Sequence, residues 1–481
     1  MNLDIMDLNQ LKLLLPEFII CFFIFVVLFM GMYKKNRPDL IAGISVLGSI
    51  LAILVLFSLY GVNEKILYGS ITIDPFAIFF KVIFLMVGIL VIVSSTKYRT
   101  DELYHGEYYM FILSAILGMM IVASASDFIT LFLGFELASI ATYALPVMKK
   151  NDLTSREAGL KYFLNGAFSS AIILFGFSLL YGITGTVYFD EVAAYFASGS
   201  ADVIAFLVVL ILISGFGYKL TMVPFHLWAL DTYQGAPTPV SAFLASAPKA
   251  MGFAVIIKIF IVAMVAFRAD MEIVFALLAL STMTIGNISA LVQENIKRML
   301  AYSSVAHAGY IMIGLAVFTE LGLTASMFHI VVYVLMSMGA FIGAMVVAHS
   351  TGNDKIAGFA GLIKRAPLTA VTMLIIFLSL IGIPPLAGFW GKLMFVYAAV
   401  SAGGWKIWLA VVLVINGVIA LYYYANVIKH MFLLEAINDK YFTQPVSYTA
   451  VLIICATALL LIGIFPGYLM GFAATAAKTL F

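Results

Sequence analysis

Of the 26 lysines and arginines in the chain, Lys81, Lys161, Lys219, Lys249, Lys258 and Lys392 fall inside long apolar runs rather than between them. A charged side chain near the middle of a bilayer costs about 2.5–3.5 kcal/mol on insertion scales. Each of the six therefore needs a partner, a cavity or a way out to the interface. The chemistry they offer is proton transfer. An amine held out of water gives up its proton readily, and a nearby carboxylate holds that proton on. Glu136, in ITLFLGFELASIATYALP, supplies an acid deep within a run, and His226 and His307 add groups that can relay. Lys219 and Lys249 delimit the densest stretch, GYKLTMVPFHLWALDTYQGAPTPVSAFLASAPKA, which also holds His226, Asp231 and four prolines. Proline removes a helix hydrogen bond that hydrocarbon cannot replace, so a broken span must line a protein-buried or wet cavity. Gly217, Gly235, Gly382, Gly388 and Gly391 leave room for water beside such breaks.

Plainer readings compete with this one. Lys81 is expected to snorkel along its helix to the interface, so Lys81→Ala should be mild. Lys258 is balanced between snorkelling and burial, and Lys161 between interface and interior, whereas Lys219, Lys249 and Lys392 lie too deep to escape. His226, His307, His329 and His349 are each balanced between a backbone-satisfied role and a chemical one. Asp231 is read as a helix cap. No histidine has carboxylate or thiol neighbours at ligand spacing, which argues against a metal centre. Cys21 and Cys455 lie in apolar spans far apart and read as buried thiols rather than a disulfide framework.

The elements that must position these groups follow from composition. At 64% hydrophobic and 10% charged residues, the chain is far from the globular mix of about 45–50% and about 25%. Repeated apolar runs of about 20 residues indicate an all-α polytopic membrane protein. Fourteen spans are expected between residues 11 and 474, joined by loops too short for a soluble domain. Asp4 and Asp7 precede the first span where a basic region would mark a signal peptide, so that span is expected to be retained. Fifteen lysines and arginines follow the odd-numbered spans, from Lys34, Lys35 and Arg37 through Lys97, Arg99, Lys149 and Lys150 to Lys429 and Lys440. Five lie on the opposite side, so the odd loops are expected to be cytoplasmic and both termini outside.

The chain divides as three N-terminal helices over 1–107, a five-helix unit over 108–267, a second over 268–434 and a C-terminal helix over 435–481. Pro224 breaks a helix in the first unit, and Pro384–Pro385, within GIPPLAGFWGKL, breaks one at the matching place in the second. An odd number of spans per unit makes the two copies enter the membrane from opposite faces, a transporter architecture.

These motifs carry a resemblance. LFLGFEL around Glu136, VPFHLW followed by YQGAPTPVSAFLASAPKA, NIKRMLAYSSVAHAGY around His307 and GIPPLAGFWGKL around Lys392 are similar to the antiporter-like membrane subunits of respiratory complex I, over nearly the whole chain. The YQGAP and APKA segments, and the lysine after GFWG, resemble the N (subunit 2) type, including its F420H2 dehydrogenase relatives. The resemblance implies that Glu136 and Lys219 form a coupling ion pair, with Lys161 beside it, Lys249 as central relay and Lys392 as terminal carrier. It places His226 and His307 on the same polar axis. It further implies a subunit of a proton-translocating NADH (or F420H2):quinone oxidoreductase in the cell membrane. Such a chain holds no redox centre of its own; flavin, iron–sulfur clusters and quinone belong to other subunits, and its partners are the antiporter-like and small membrane-arm subunits. The alternative is a subunit of a multisubunit Na+/H+ antiporter; a self-contained solute transporter and a scaffold stand behind it. One departure from the family pattern is that Trp228 is followed by Ala229, Leu230 and Asp231 where Pro-Asp is usual, which implies a break shifted by a turn.

Overall fold

The computed structural model describes residues 8–33, 37–98, 105–200, 203–436, 441, 442 and 444–481. Asp4, Asp7, Lys34, Lys35, Arg99 and Lys440, used above for the N-terminus and the loop charges, lie outside the described residues. A short helix α1 (Leu8–Leu13) precedes α2 (Leu15–Tyr33), α3 (Pro38–Ser58) and α4 (Pro75–Ser95). An antiparallel hairpin of β1 (Glu64–Ile66) and β2 (Ile71–Ile73), with Lys65 opposite Thr72, joins α3 to α4. Then come α5 (His105–Ser124), α6 (Phe128–Ala144), α7 (Leu153–Thr184) and the short α8 (Phe189–Tyr195). Four shorter helices follow, α9 (Val203–Lys219), α10 (Leu227–Gly235), α11 (Thr238–Leu244) and α12 (Ala247–Ile257), the last running into a π-helical turn over Lys258–Ala263. The long helices α13 (Arg268–Leu291), α14 (Ile296–Val317) and α15 (Glu320–Thr351) lead to α16 (Leu362–Arg365), α17 (Pro367–Ile381) and α18 (Ala387–Ala402). The chain closes with α19 (Ile407–Leu433), α20 (Val446–Ile464) and α21 (Pro466–Lys478).

Among the described residues, twelve helical stretches are long and apolar enough to cross a membrane. The chain is an all-α polytopic membrane protein. Its helices start where a side chain satisfies the orphan amides of the first turn. Asp74, Asp127, Asp152, Asn295 and Thr319 each accept a hydrogen bond from a backbone N–H one to three residues into α4, α6, α7, α14 and α15. They stop where proline removes a donor: α9 ends before Pro224, and α17 ends before Pro384 and Pro385. The second stop also needs Gly382, whose φ of +93° suits a residue without Cβ. A third interruption goes beyond the sequence reading. The expected span 240–267 bends at Ala245–Ser246, and α12 begins with Pro248 in its first turn, directly before Lys249.

Burial separates two classes of helix. The apolar window of α15 is entirely covered, and those of α14, the α11–α12 stretch and α4 are largely so. By contrast α2, α13 and α19 turn Phe22, Phe25, Phe29, Leu277, Trp408 and Val418 outward. Apolar surface on this scale suits lipid or a neighbouring chain rather than water. Of the two thiols, Cys455 is buried and Cys21 only half-buried, and both are free.

Lys81 does not snorkel. Its side chain is 0% exposed, packed inside the well-covered α4, and its Nζ lies 2.6 Å from Glu17 Oε1 on α2. Glu17 is thus a buried acid of a helical span that pairs with it, and the expectation of a mild Lys81→Ala is corrected. Removing one partner of a buried pair strands the other, at about 3–5 kcal/mol. Lys81→Ala should lower the thermal unfolding midpoint of the purified complex and reduce its yield, as fluorescence-monitored melting would show. Lys258 is also buried, and donates to the Ala125 carbonyl at 2.7 Å.

Candidate functional site

Lys219 is the last residue of α9, the half-helix before the first break. A helix C-terminus favours a cation by about 0.3–1 kcal/mol, too little to offset removing an ammonium from water. Side chains supply the rest. Nζ donates to Ser139 Oγ at 2.9 Å and to the Tyr143 hydroxyl at 3.0 Å, both on α6, and lies 4.7–5.8 Å from the ring centroids of Tyr143, Phe135 and Tyr162. Glu136, one turn before Ser139 on α6, accepts a hydrogen bond from Ser170 of α7. Among the described residues Glu136 and Lys219 thus make no direct ion pair of the kind the resemblance implies; Glu136 is bonded to Ser170 of α7 and Lys219 to Ser139 and Tyr143 of α6.

Two residues past Lys219, the break holds Thr221 in a left-handed conformation, φ +56°, uncommon for a residue with Cβ. That turn presents its hydroxyl to Lys249, whose Nζ donates to Thr221 Oγ1 at 2.8 Å and to Ser304 Oγ and O at 2.7 and 2.8 Å. All three ammonium donors of Lys249 are thereby used. Ser304 stands one turn before His307 on α14, and His307 Nδ1 is 3.1 Å from His329 Nε2 on α15. The two rings are nearly parallel, 11° apart, and the ring of Tyr333 stacks on His307. The other nitrogen of His329, Nδ1, is buried without a partner and faces Gly391, next to Lys392.

Lys392 reaches back across the second break. Its Nζ donates to the Leu380 and Ile381 carbonyls at 2.9 and 2.8 Å, the terminal carbonyls that the break frees from α17. It also lies 5.2 Å from the Tyr310 ring centroid. Each break thus has a lysine at the C-terminal end of a half-helix, but only Lys392 reaches the unpaired carbonyls there, whereas Lys219 turns to hydroxyls of α6.

In the sequence Glu136, Lys219, Lys249, His307 and Lys392, contacts run from Thr221 through Lys249 to Ser304, on the helix of His307, and from His307 to His329, while among the described residues no direct contact joins Lys219 to Lys249 or His329 to Lys392. The other two candidates sit aside. Lys161 bonds Glu157 and Asp231, each at 2.6 Å, and its side chain is 40% exposed. His226 caps no amide with its side chain; it begins α10 near Tyr302, 6.4 Å between ring centroids. Asp231 is not a cap. It lies inside α10 and pairs with Lys161 and with Arg298 NH1 at 3.0 Å. α10 runs unbroken through Ala229 and Leu230, which no proline interrupts. Lys161, Asp231, Ser169, Tyr218 and Pro224 line a cavity of about 420 Å3 at the first break, room for many waters. His329, which sequence reasoning left undecided, is the partner of His307. Its signal was position: 22 residues after His307, deep in a span with no charge near it.

Comparison with known proteins gives this arrangement its context. The family described as NADH:quinone oxidoreductase/Mrp antiporter, TM, matches residues 125–420, a stretch that contains every residue of the sequence above. The chain belongs to that family. This member is 38% identical to F(420)H(2) dehydrogenase subunit N of Methanosarcina mazei, over 98% of this chain and 99% of that one. It is 42% identical to NADH-quinone oxidoreductase subunit N of Heliobacterium modesticaldum, over 93% and 94% of the two chains. Among solved structures it superposes on a chain of respiratory complex I from Thermus thermophilus with a TM-score of 0.80 and 29% identity, covering 95% of this chain and 99% of that one. The antiporter-like subunit fold is therefore the fold of this chain.

Proposed function

We propose that this chain is a proton-translocating membrane-arm subunit of a complex I-type quinone oxidoreductase. Protons move along Glu136, Lys219, Lys249, His307, His329 and Lys392, coupled to quinone reduction in other subunits. The observation that carries this reading is the chain of contacts from Thr221 through Lys249 and Ser304 to the His307–His329 pair. It leads from the first broken helix to His329, which packs beside Phe395 and Gly391 of α18 past the second break. Lys161, which lines the cavity at the first break, serves the cytoplasmic approach to Lys219, and His226 stands beside that break at the start of α10. Counting each broken helix as one crossing, this reading has fourteen spans. Three N-terminal helices (1–107) precede two inverted five-helix units (108–267 and 268–434) and a last helix (435–481). Both termini lie outside the cell membrane. Redox cofactors belong to partner subunits, and the membrane-arm neighbours are antiporter-like and small subunits.

Purification of the tagged chain from native membranes tests this. We expect iron–sulfur and flavin absorption to accompany it, and to bleach with either NADH or reduced F420 as donor, with electrons passing to a quinone. The family description also covers Mrp antiporters. A preparation lacking flavin and iron that exchanges Na+ for H+ without any electron donor would establish that reading and overturn ours.

A further inference from the structure

The two broken helices hold their lysines differently. Lys219 has two hydroxyls and three aromatic rings around its ammonium. Among the described residues Lys392 makes no ion pair and has two carbonyls and one ring. An ammonium carries three N–H donors. The Leu380 and Ile381 carbonyls take two, which leaves the third to the face of Tyr310, whose ring centroid is 5.2 Å from Nζ. A cation within about 6 Å of an aromatic face is held by the ring quadrupole, most strongly where water is excluded. Tyr310 and Lys392 are both buried. Tyr310 closes the motif NIKRMLAYSSVAHAGY, three residues after His307 on α14. Those two rings meet edge to face, 5.2 Å between centroids and 80° between planes. Among the described residues, Tyr310 is thus the one side chain in ring contact with both His307 and Lys392.

The ring is tied at its tip. Its hydroxyl accepts the Asn287 Nδ2 hydrogen at 2.8 Å. Asn287, buried on α13, also donates to the Met283 carbonyl at 2.9 Å and to Asn416 Oδ1 of α19 at 3.1 Å, and its Oδ1 accepts the Tyr423 hydroxyl at 3.0 Å. A satisfied buried network fixes the position of its members. Plain packing of α13, α14 and α19 would be served by apolar residues at a smaller desolvation cost. What the tyrosine adds is a ring held at one end and turned face-on to an ammonium. The helices packed on α18 are α14, α15, α17, α19 and α20. The titratable groups they turn toward Lys392 are His307, Tyr310 and His329, whose Nδ1 faces Gly391. α17 brings carbonyls only, Tyr423 and Tyr424 of α19 bond Asn287 and Ser303, and Cys455 of α20 faces Gly339.

We propose that Tyr310 is a positioning residue of the translocation path: its ring face holds the Lys392 ammonium beside the histidine pair, and Asn287 holds the ring. It acts through Lys392 and exchanges no proton itself. When Lys392 is loaded, an N–H bond breaks on the donor side and one forms with the lone pair of the amine. The ring stabilises the ammonium so made and keeps it at the second break until it is unloaded.

The test compares, in the assembled complex, Tyr310→Phe, Tyr310→Leu and phenylalanines bearing one, two or three ring fluorines at position 310. Fluorine drains negative charge from the ring face and keeps its shape. Pumping by inside-out vesicles, set against donor oxidation, is recorded as a function of pH. Tyr310→Phe keeps the ring and loses the tether, so pumping should slow but stay coupled. Tyr310→Leu has no ring and should pump about tenfold more slowly or worse. Along the fluorine series the ammonium loses its partner stepwise. The pH at which pumping fails on the alkaline side should therefore fall, by about tenfold in proton concentration at three fluorines. A midpoint indifferent to fluorine would reduce the ring to filling space, and equal loss in Tyr310→Phe and Tyr310→Leu would place the function in the hydroxyl; either result overturns the proposal. Should Tyr310→Leu not assemble, the fluorine series decides alone. The proposal rests on Lys392 carrying protons. A flat fluorine series in a complex that pumps refutes only the role of Tyr310, whereas Lys219→Ala reports on translocation itself.

Discussion

Proton pumping coupled to quinone reduction should be lost when Lys219 is replaced by alanine, in a complex that still assembles. A positioned proton-transfer group is worth about 10²–10⁴-fold, so coupled turnover should fall at least about tenfold even if water partly bridges the gap. Assembly should survive because a buried cation is itself unfavourable, and Ser139 and Tyr143 can turn their hydroxyls to water or to one another once Nζ is gone. Lys219→Arg separates chemistry from structure. A guanidinium keeps the charge, the hydroxyl contacts and the stacking on Tyr143 and Tyr162, but it does not release a proton. If Lys219 merely holds α6, α7 and α9 together, arginine should restore pumping. If it carries a proton, arginine should be as inactive as alanine. Acidification by inside-out vesicles, set against the rate of donor oxidation, reads both variants. Pumping at the wild-type proton-to-electron ratio in Lys219→Ala would refute the axis.

Why Lys219, Lys249 and Lys392 were legible from sequence, and Glu17 and Lys81 were not, has a physical reason. In a membrane both faces of a helix are apolar, because lipid and protein core make the same demand. α2 and α15 have closely similar mean hydropathy, yet most of the α2 window is uncovered and all of the α15 window is covered. Hydropathy therefore finds spans and the unfavourable residues within them, not the neighbour that a residue faces. Lysines beside proline breaks announce themselves, since break and charge each need the other. Lys81 lies in an unbroken helix, and its partner is the third residue of another. Only the packing of α2 on α4 brings them together. Asp231 misled in the opposite way. Its place next to the tryptophan motif suggests a cap, but α10 begins four residues earlier, and Lys161 and Arg298 claim the carboxylate. The kink before Lys249 was signalled by Pro248 and masked by the apolar residues on either side.

The hand-off between histidines can be broken without touching an ionisable residue. A Cβ on Gly391 would stand 2.2 Å from His329 Nδ1, closer than any real contact, so in Gly391→Ala the imidazole must move. Its other nitrogen is the one that meets His307 at 3.1 Å, and a ring displaced at one end cannot keep the bond at the other. The strain of such overpacking is about 1–3 kcal/mol, partly offset by the helix-favouring change of about 0.5–1 kcal/mol on replacing a mid-helix glycine. The complex should therefore assemble and oxidise its donor. The proton-to-electron ratio, by contrast, should fall by about one chain's contribution, because the alternative through solvent is closed: His307 and His329 are both enclosed. Gly417→Ala, on α19 with nothing within 4 Å of its would-be Cβ, is the matched control and should change neither rate nor ratio. A wild-type ratio in Gly391→Ala would mean that protons pass Lys249 and Lys392 without the histidine pair. Loss of the ratio in both variants would mean that any added methyl disturbs the membrane arm. A fall confined to Gly391→Ala would tie translocation to a single contact between α14 and α15.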